Sequence, residues 1–159
     1  MLIGMVRLMV KVFIFYDSKY GNTKLAAEKV AEGLRDEAVV VDLGYIKEVS
    51  AEHAADYDGV VLGAPNHMGR PSQAMKNFIN QLATAGLQGK KVAVFGTYAG
   101  KERHDRALTK LEKMVQGKLA GATLVSPGLS VRVNGVSGPV VDGELPKCVN
   151  WGRALVAQL

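Results

Sequence analysis

The chain has one cysteine among its 159 residues, Cys148. That count excludes an internal disulfide and the clustered thiolates of a zinc or iron–sulfur site, and leaves Cys148 as a small packing residue on the last helix. Aromatic residues make up only 6% of the chain, with a single Trp. The twenty Lys and Arg are scattered over the polar faces of expected helices, so the net charge of +5 points to solubility and acidic partners rather than to nucleic acid. Histidines are few as well: His53, His67 and His104 fit neither H-x-H nor H-E-x-x-H, so no metal site is expected. Long apolar runs are missing. The opening stretch, residues 1–10, is broken by Arg7, has no small-residue cleavage site and is too short to span a bilayer. The expectation is a cytoplasmic protein with no membrane insertion. Two familiar phosphate motifs are also absent, G-x-x-x-x-G-K-[ST] and a G-x-G-x-x-G after the first apolar run, which sets aside ATP, GTP and the usual dinucleotide mode.

What is present is an alternation. Apolar, strand-like runs fall at residues 9–16, 38–42, 59–63, 91–97 and 122–126, with helical periodicity between most of them. Ala26, Val30 and Leu34 recur at helical spacing, as do Met75, Phe78, Ile79 and Leu82, then Leu108, Leu111 and Val115, and finally Val149, Leu155, Val156 and Leu159. The crossover around residues 50–55 is the weakest and is read as a short helix. Residues 127–146 are read as a glycine-rich connection before the last helix. The pattern predicts an α/β domain, a doubly wound five-stranded parallel sheet with helices on both faces. One such domain would occupy residues 9–159, with residues 1–8 as an N-terminal extension; Met5 and Met9 leave a later start open.

In a sheet of that kind, ligands bind beyond the carboxyl ends of the strands at the point where the strand order reverses. Three loops fall there. The first, Asp17-Ser18-Lys19-Tyr20-Gly21-Asn22-Thr23, joins an apolar strand to an amphipathic helix, as a phosphate loop does: backbone N–H groups and the helix N-terminus converge on one anion. Ser18 and Thr23 add hydroxyl donors, and Gly21 allows a backbone conformation that a Cβ would obstruct. Taken alone, the loop also fits a plain helix-capping turn. The second loop runs Ala64-Pro65-Asn66-His67-Met68-Gly69-Arg70-Pro71, and the third Thr97-Tyr98-Ala99-Gly100-Lys101-Glu102-Arg103.

At these loops the chain resembles the flavodoxin family. Ser18, Gly21 and Thr23 match its [ST]-x-[ST]-G-x-T signature, with Tyr20 replacing the middle hydroxyl residue. That variant is similar to flavodoxin-like NAD(P)H:quinone oxidoreductases and to the flavodoxin domain of flavodiiron proteins. Gly63-Ala-Pro-Asn-His-Met-Gly69 resembles the quinone-reductase pattern G-T-P-T-R-F-G, and residues 89–100 resemble the flavodiiron run G-K-x-x-A-x-F-G-S-Y-G. The metal domain that accompanies the flavodiiron relatives is absent from these residues.

The resemblance implies FMN as cofactor, its phosphate at Ser18, Lys19, Tyr20, Gly21, Asn22 and Thr23. The flavin ring is then expected between Ala64, Pro65, Asn66, His67, Met68 and Gly69 on one side and Thr97, Tyr98, Ala99 and Gly100 on the other. A flavin needs a stacking face and free backbone groups at its polar edges; Tyr98 is the candidate for the face, and His67 for a polar neighbour of the ring edge. The function implied is an FMN-binding electron carrier between redox partner proteins, and the basic charge leads to the expectation of an acidic partner. The alternative is a small NAD(P)H-dependent quinone reductase. A phosphorylated receiver module shares the strand plan but needs a carboxylate at the end of the third strand, where this chain has Gly63-Ala64-Pro65.

Overall fold

The computed structural model describes residues 9–99 and 106–159. The extension expected over residues 1–8 lies outside them, as do Gly100, Lys101, Arg103 and His104. Strands β1 (Lys11–Tyr16), β2 (Val40–Tyr45), β3 (Gly59–Pro65), β4 (Lys91–Ala99) and β5 (Thr123–Val133) form one sheet in the order β2-β1-β3-β4-β5, with every pairing parallel. Helices α1 (Asn22–Asp36), α2 (Gln73–Ala85), α3 (Arg106–Lys118) and α4 (Glu144–Leu155) cover it. The expected crossover helix is a 3-10 helix, Ala51–Asp56, whose first turn is capped by Ser50 accepting the Glu52 N–H at 3.2 Å. Among the described residues no helix is long and apolar enough to cross a membrane.

The central strands β1, β3 and β4 are apolar on both sides because the sheet is covered on both. In β1, Val12, Ile14 and Tyr16 pack with α1 and α4, while Phe13 and Phe15 face the core under α2 and α3. Phe15 and Phe95 are fully buried, and burying each such side chain contributes roughly 1.5–3 kcal/mol. On the first face, α1 and α4 cross at a glycine pair. A Cβ on Gly33 would lie 2.0 Å from the Val149 carbonyl oxygen, and one on Gly152 would lie 2.3 Å from that of Val30. The two helices touch backbone to backbone, and Arg153 ties their flanks by donating to Asp36 Oδ2 from Nη2 at 2.7 Å.

Several strand boundaries differ from the expected ones, two of them for a reason visible in the backbone. The second strand begins at Val40 rather than at Ala38, because Ala38 takes a left-handed φ of 63° and closes the end of α1 through its N–H to the Arg35 carbonyl. The glycine-rich connection begins later than residue 127, since β5 continues to Val133. Across Ser126-Pro127-Gly128 the strand bulges: Val125 pairs with Ala93, and pairing resumes at Leu129 with Phe95. Proline has no N–H for a sheet ladder, so a bulge is where it fits. Glu112 of α3 holds the bulge, accepting from the Gly128 N–H at 3.3 Å and from the Ser126 hydroxyl at 3.5 Å. Beyond Val133 the chain turns back as a hairpin, Val133 bridging Val140 and the Asn134 N–H donating to Pro139 at 2.8 Å.

Candidate functional site

The strand order reverses between β1 and β3, and the cleft opens there, at the carboxyl ends of the strands. Its volume is about 640 Å³, inside the range of small-molecule sites. All three expected loops contribute. Ser18, Lys19, Tyr20, Asn22 and Thr23 line it from the first loop, Pro65, Asn66, His67, Met68 and Gly69 from the second, and Thr97, Tyr98 and Ala99 from the third. Two expected residues do not line it. Gly21 is exposed and has a φ of 90° as the residue capping α1, so its part is conformational; Ala64 is buried in the core against the α2–α3 side. Gly100 lies outside the described residues.

The first loop is arranged around open donors. The residue before α1, Gly21, offers no side chain to cap it, and the first-turn N–H groups of Asn22 and Thr23 have no intrahelical acceptor. Ser18 Oγ accepts from the Gly21 N–H at 3.1 Å and from the Lys24 N–H at 3.3 Å, which folds the loop while leaving its own hydroxyl proton to donate. Thr23 is buried, and its hydroxyl meets that of Thr97 at 2.8 Å. This bond ties the first loop to the third. One proton is spent between the two hydroxyls and the other remains for a ligand. Beneath the loop, buried Asp17 accepts from the Ser72 hydroxyl at 2.5 Å, and Ser72 caps α2 by accepting the Met75 N–H at 3.2 Å.

The second loop is a two-residue hairpin. The His67 N–H donates to the Arg70 carbonyl at 2.7 Å and the Arg70 N–H returns to His67 at 3.1 Å. Met68 and Gly69 at its tip have φ of 53° and 81°, the left-handed pair that a type I′ turn requires. Asn66 Oδ1 accepts the Gly69 N–H at 2.6 Å, and Met68 stands 94% exposed. His67 is exposed in the cleft wall rather than buried under it. Tyr98 is half-buried in the opposite wall, and Tyr20 is half-exposed with the Lys19 ammonium 5.3 Å from its ring centre.

Three lining residues were not legible in the sequence: Arg106, Val133 and Val136. Arg106 opens α3 and lies along the second loop, where a Cβ on Gly69 would come within 3.0 Å of its Cδ. Val133 ends β5, and Val136 is exposed at the tip of the hairpin that follows. That hairpin leans on the first loop: a Cβ on Gly138 would sit 2.4 Å from Asn22 Oδ1. The cluster of Gly135, Val136, Ser137 and Gly138 was the available signal, a turn composition within a segment read as a glycine-rich connection.

The cleft fits a phosphorylated flat ring. Open N–H donors lie at one end, apolar and backbone surfaces face each other along it, and Arg106 sits at the side. Residues 13–131 match the protein family described as Flavodoxin domain. The flavodoxin of Maridesulfovibrio salexigens is 32% identical over 160 residues, covering 95% of this chain and all of that protein. The solved structure of oxidised flavodoxin 2 from Bacillus cereus superposes with a TM-score of 0.80 at 30% identity, over 94% of this chain and 100% of that one. A Caulobacter vibrioides protein named NAD(P)H dehydrogenase (quinone) is 28% identical over 142 residues, 74% of this chain and 70% of its own.

Proposed function

The chain belongs to the flavodoxin family, whose members bind FMN and transfer electrons to redox partners, and on that premise we propose that its cleft is the FMN site. The observation that carries the assignment of residues is the convergence of the first loop's open N–H groups with the two facing loops around one 640 Å³ cleft. Asn22 and Thr23 would receive the phosphate on their backbone N–H groups, with Ser18 and Thr23 donating from their hydroxyls. Pro65, Asn66, His67, Met68 and Gly69 would hold one side of the ring, with Thr97, Tyr98 and Ala99 holding the other. Gly21 shapes the first loop without contact.

Bound FMN supplies reversible one- and two-electron transfer. The chain supplies the rest. Backbone donors would carry the phosphate without a full positive charge, Tyr98 would cover one wall of the cleft, and Arg106 would set a cation at its side. The single domain is read as residues 9–159. The partner protein is read as acidic, in keeping with the net charge of +5, and the setting as cytoplasmic, in keeping with a lone cysteine that has no mate to oxidise.

The test is calorimetric titration of the apo chain with FMN and with riboflavin. FMN is expected to bind at least tenfold more tightly, a difference of about 1.4 kcal/mol or more from the phosphate. Equal affinities would overturn the first-loop assignment. The quinone-reductase reading is favoured by one observation, the 28% identity to a protein of that name. Rapid turnover of NADH or NADPH with benzoquinone by the FMN-loaded chain would establish it in place of the carrier.

A further inference from the structure

Charge is distributed unevenly over this fold. Between Asn66 and Lys118, the stretch holding the second and third loops, α2 and α3, there are ten Lys and Arg against three Asp and Glu; the remainder of the chain has ten against twelve. The whole basic excess therefore falls within that stretch of the sequence. The scattered appearance in the sequence is an effect of spacing along the chain.

Part of that excess gathers beside the cleft. Arg70 closes the second hairpin, Lys76 sits in the first turn of α2, and Arg106 and Lys110 occupy the first turns of α3. Arg106 lines the cleft itself. Partial desolvation, then Arg106, Arg70 and Lys76, hold the Lys110 ammonium below its ordinary value, so the four cations act on a common region. Among the described residues no carboxylate forms an ion pair with any of them. The nearby acids are otherwise engaged: Glu112 holds the β5 bulge, and Asp17 is buried against Ser72. In sequence, Glu102 and Asp105 are matched by Lys101 and Arg103. Next to the cations stands Met68, 94% exposed at the hairpin tip, so an apolar point is bordered by positive charge at the mouth of the cleft.

We propose that Arg70, Lys76, Arg106 and Lys110, with Met68 at their edge, form the docking surface for the acidic face of a redox partner protein. This rests on the electron-carrier reading and specifies where the partner sits. Charge complementarity selects the occupant. The four cations are spread over a hairpin and two helices on an open surface, which suits a broad acidic face with an apolar centre. A nucleotide phosphate calls instead for several donors converging in one recess. Docking there would bring the partner's redox centre over the cleft mouth beside the second loop, and electrostatic steering would act mainly on the association rate.

The experiment compares two acceptors with the same haem and opposite charge, native cytochrome c, which is basic, and fully succinylated cytochrome c, which is acidic. The FMN-loaded, reduced chain should reduce the acidic form about tenfold faster at ionic strength near 0.01 M, and the preference should vanish near 0.5 M. Lys76→Glu/Lys110→Glu, neither of which lines the cleft, should cut that preference several-fold. Lys91→Glu/Lys118→Glu makes the same change in charge at the opposite edge of the sheet and should move it by less than about twofold. A faster reaction with native cytochrome c, or equal effects of the two variant pairs, would overturn the proposal. So would loss of NADPH binding, measured by calorimetry, in the first pair alone, since that marks a nucleotide site. Calorimetric binding of succinylated cytochrome c to the apo chain gives a second readout. If the chain takes up no FMN yet binds the acidic protein through Lys76 and Lys110, the carrier reading fails and the surface stands; if binding ignores both residues, the surface fails.

Discussion

The buried contact between the Thr23 and Thr97 hydroxyls makes a prediction with two separable parts. Thr23→Val keeps the side-chain shape but leaves the Thr97 hydroxyl, 3% exposed, without its partner. An orphaned buried hydroxyl costs about 1–3 kcal/mol, whereas replacing both partners by apolar groups of the same shape is close to neutral. Each single valine variant of the apo chain should therefore lose about 1–2 kcal/mol in urea unfolding, and the double variant should lose less than the two losses added. The coupling expected from the cycle is about 1 kcal/mol or more. The second part concerns the ligand. Only Thr23 sits in the first loop, so if Thr97 donates to Thr23, the Thr23 proton is the one free for phosphate. Thr23→Val should weaken FMN by about 1–2 kcal/mol, roughly tenfold, and leave riboflavin almost unchanged; Thr97→Val should affect the two ligands alike. Strictly additive unfolding energies would refute the paired-hydroxyl account. An unchanged ratio of FMN to riboflavin affinity in Thr23→Val would refute the role at the phosphate.

Arg106→Gln removes a cation from beside the ring, an effect on the order of 1 kcal/mol, so the two-electron midpoint potential should fall by about 20–40 mV in an anaerobic titration; no change would mean that Arg106 points away from the ring when FMN is bound. With this cation present, the two one-electron steps are expected close together, and a large half-reduced population in the same titration would contradict that. Tyr57 donates to Asp42, a bond that, ahead of burial, raises the phenol to about 12 from 10.0. Because the folded value is the higher one, this stability is complete below pH 10 and is lost as pH rises toward 12. Tyr57→Phe should cost about 1 kcal/mol at neutral pH, allowing for solvent screening, and flatten the alkaline limb of a stability profile; an unaltered limb would assign it to other groups. Gly33→Ala would press a methyl into the Val149 carbonyl and should destabilise by about 3 kcal/mol or more, read from urea midpoints, while a loss below about 1 kcal/mol would mean that α4 yields easily.

The periodicities made the layers legible. Val12 and Ile14 on one side of β1, with Phe13 and Phe15 on the other, are what an alternating apolar run gives in a sheet covered twice, and the helical spacing of Met75, Phe78, Ile79 and Leu82 is the buried face of α2. The loops were legible for a different reason, since strand ends in a parallel sheet must share an edge and Ser18, Asn66 and Thr97 carry polar chemistry there. What stayed hidden depended on long-range geometry. Nothing in the run from Ser126 to Val133 reveals that β4 will pair with it across a proline bulge, and so the hairpin carrying Val136 to the cleft was missed. Arg106 was missed because only the direction of α3 brings its first residue against the second loop. The pairing of Thr23 with Thr97 spans 74 positions, beyond any local pattern.

The glycine crossing of α1 and α4 has a consequence for how the protein is made. Asp36 and Arg153, which tie the two helices together, are 117 positions apart. At synthesis rates of about 5–20 residues per second, α1 waits roughly 6–23 s on the ribosome before the helix that covers it has been translated. Throughout that interval the apolar stripe of Ala26, Ala27, Val30 and Leu34 is only half housed, by the strands already made. Small side chains keep the stripe slender, and a slender stripe offers little for another nascent chain to grip. The glycines that let two backbones touch in the finished protein thus also leave its unfinished form with less to stick by.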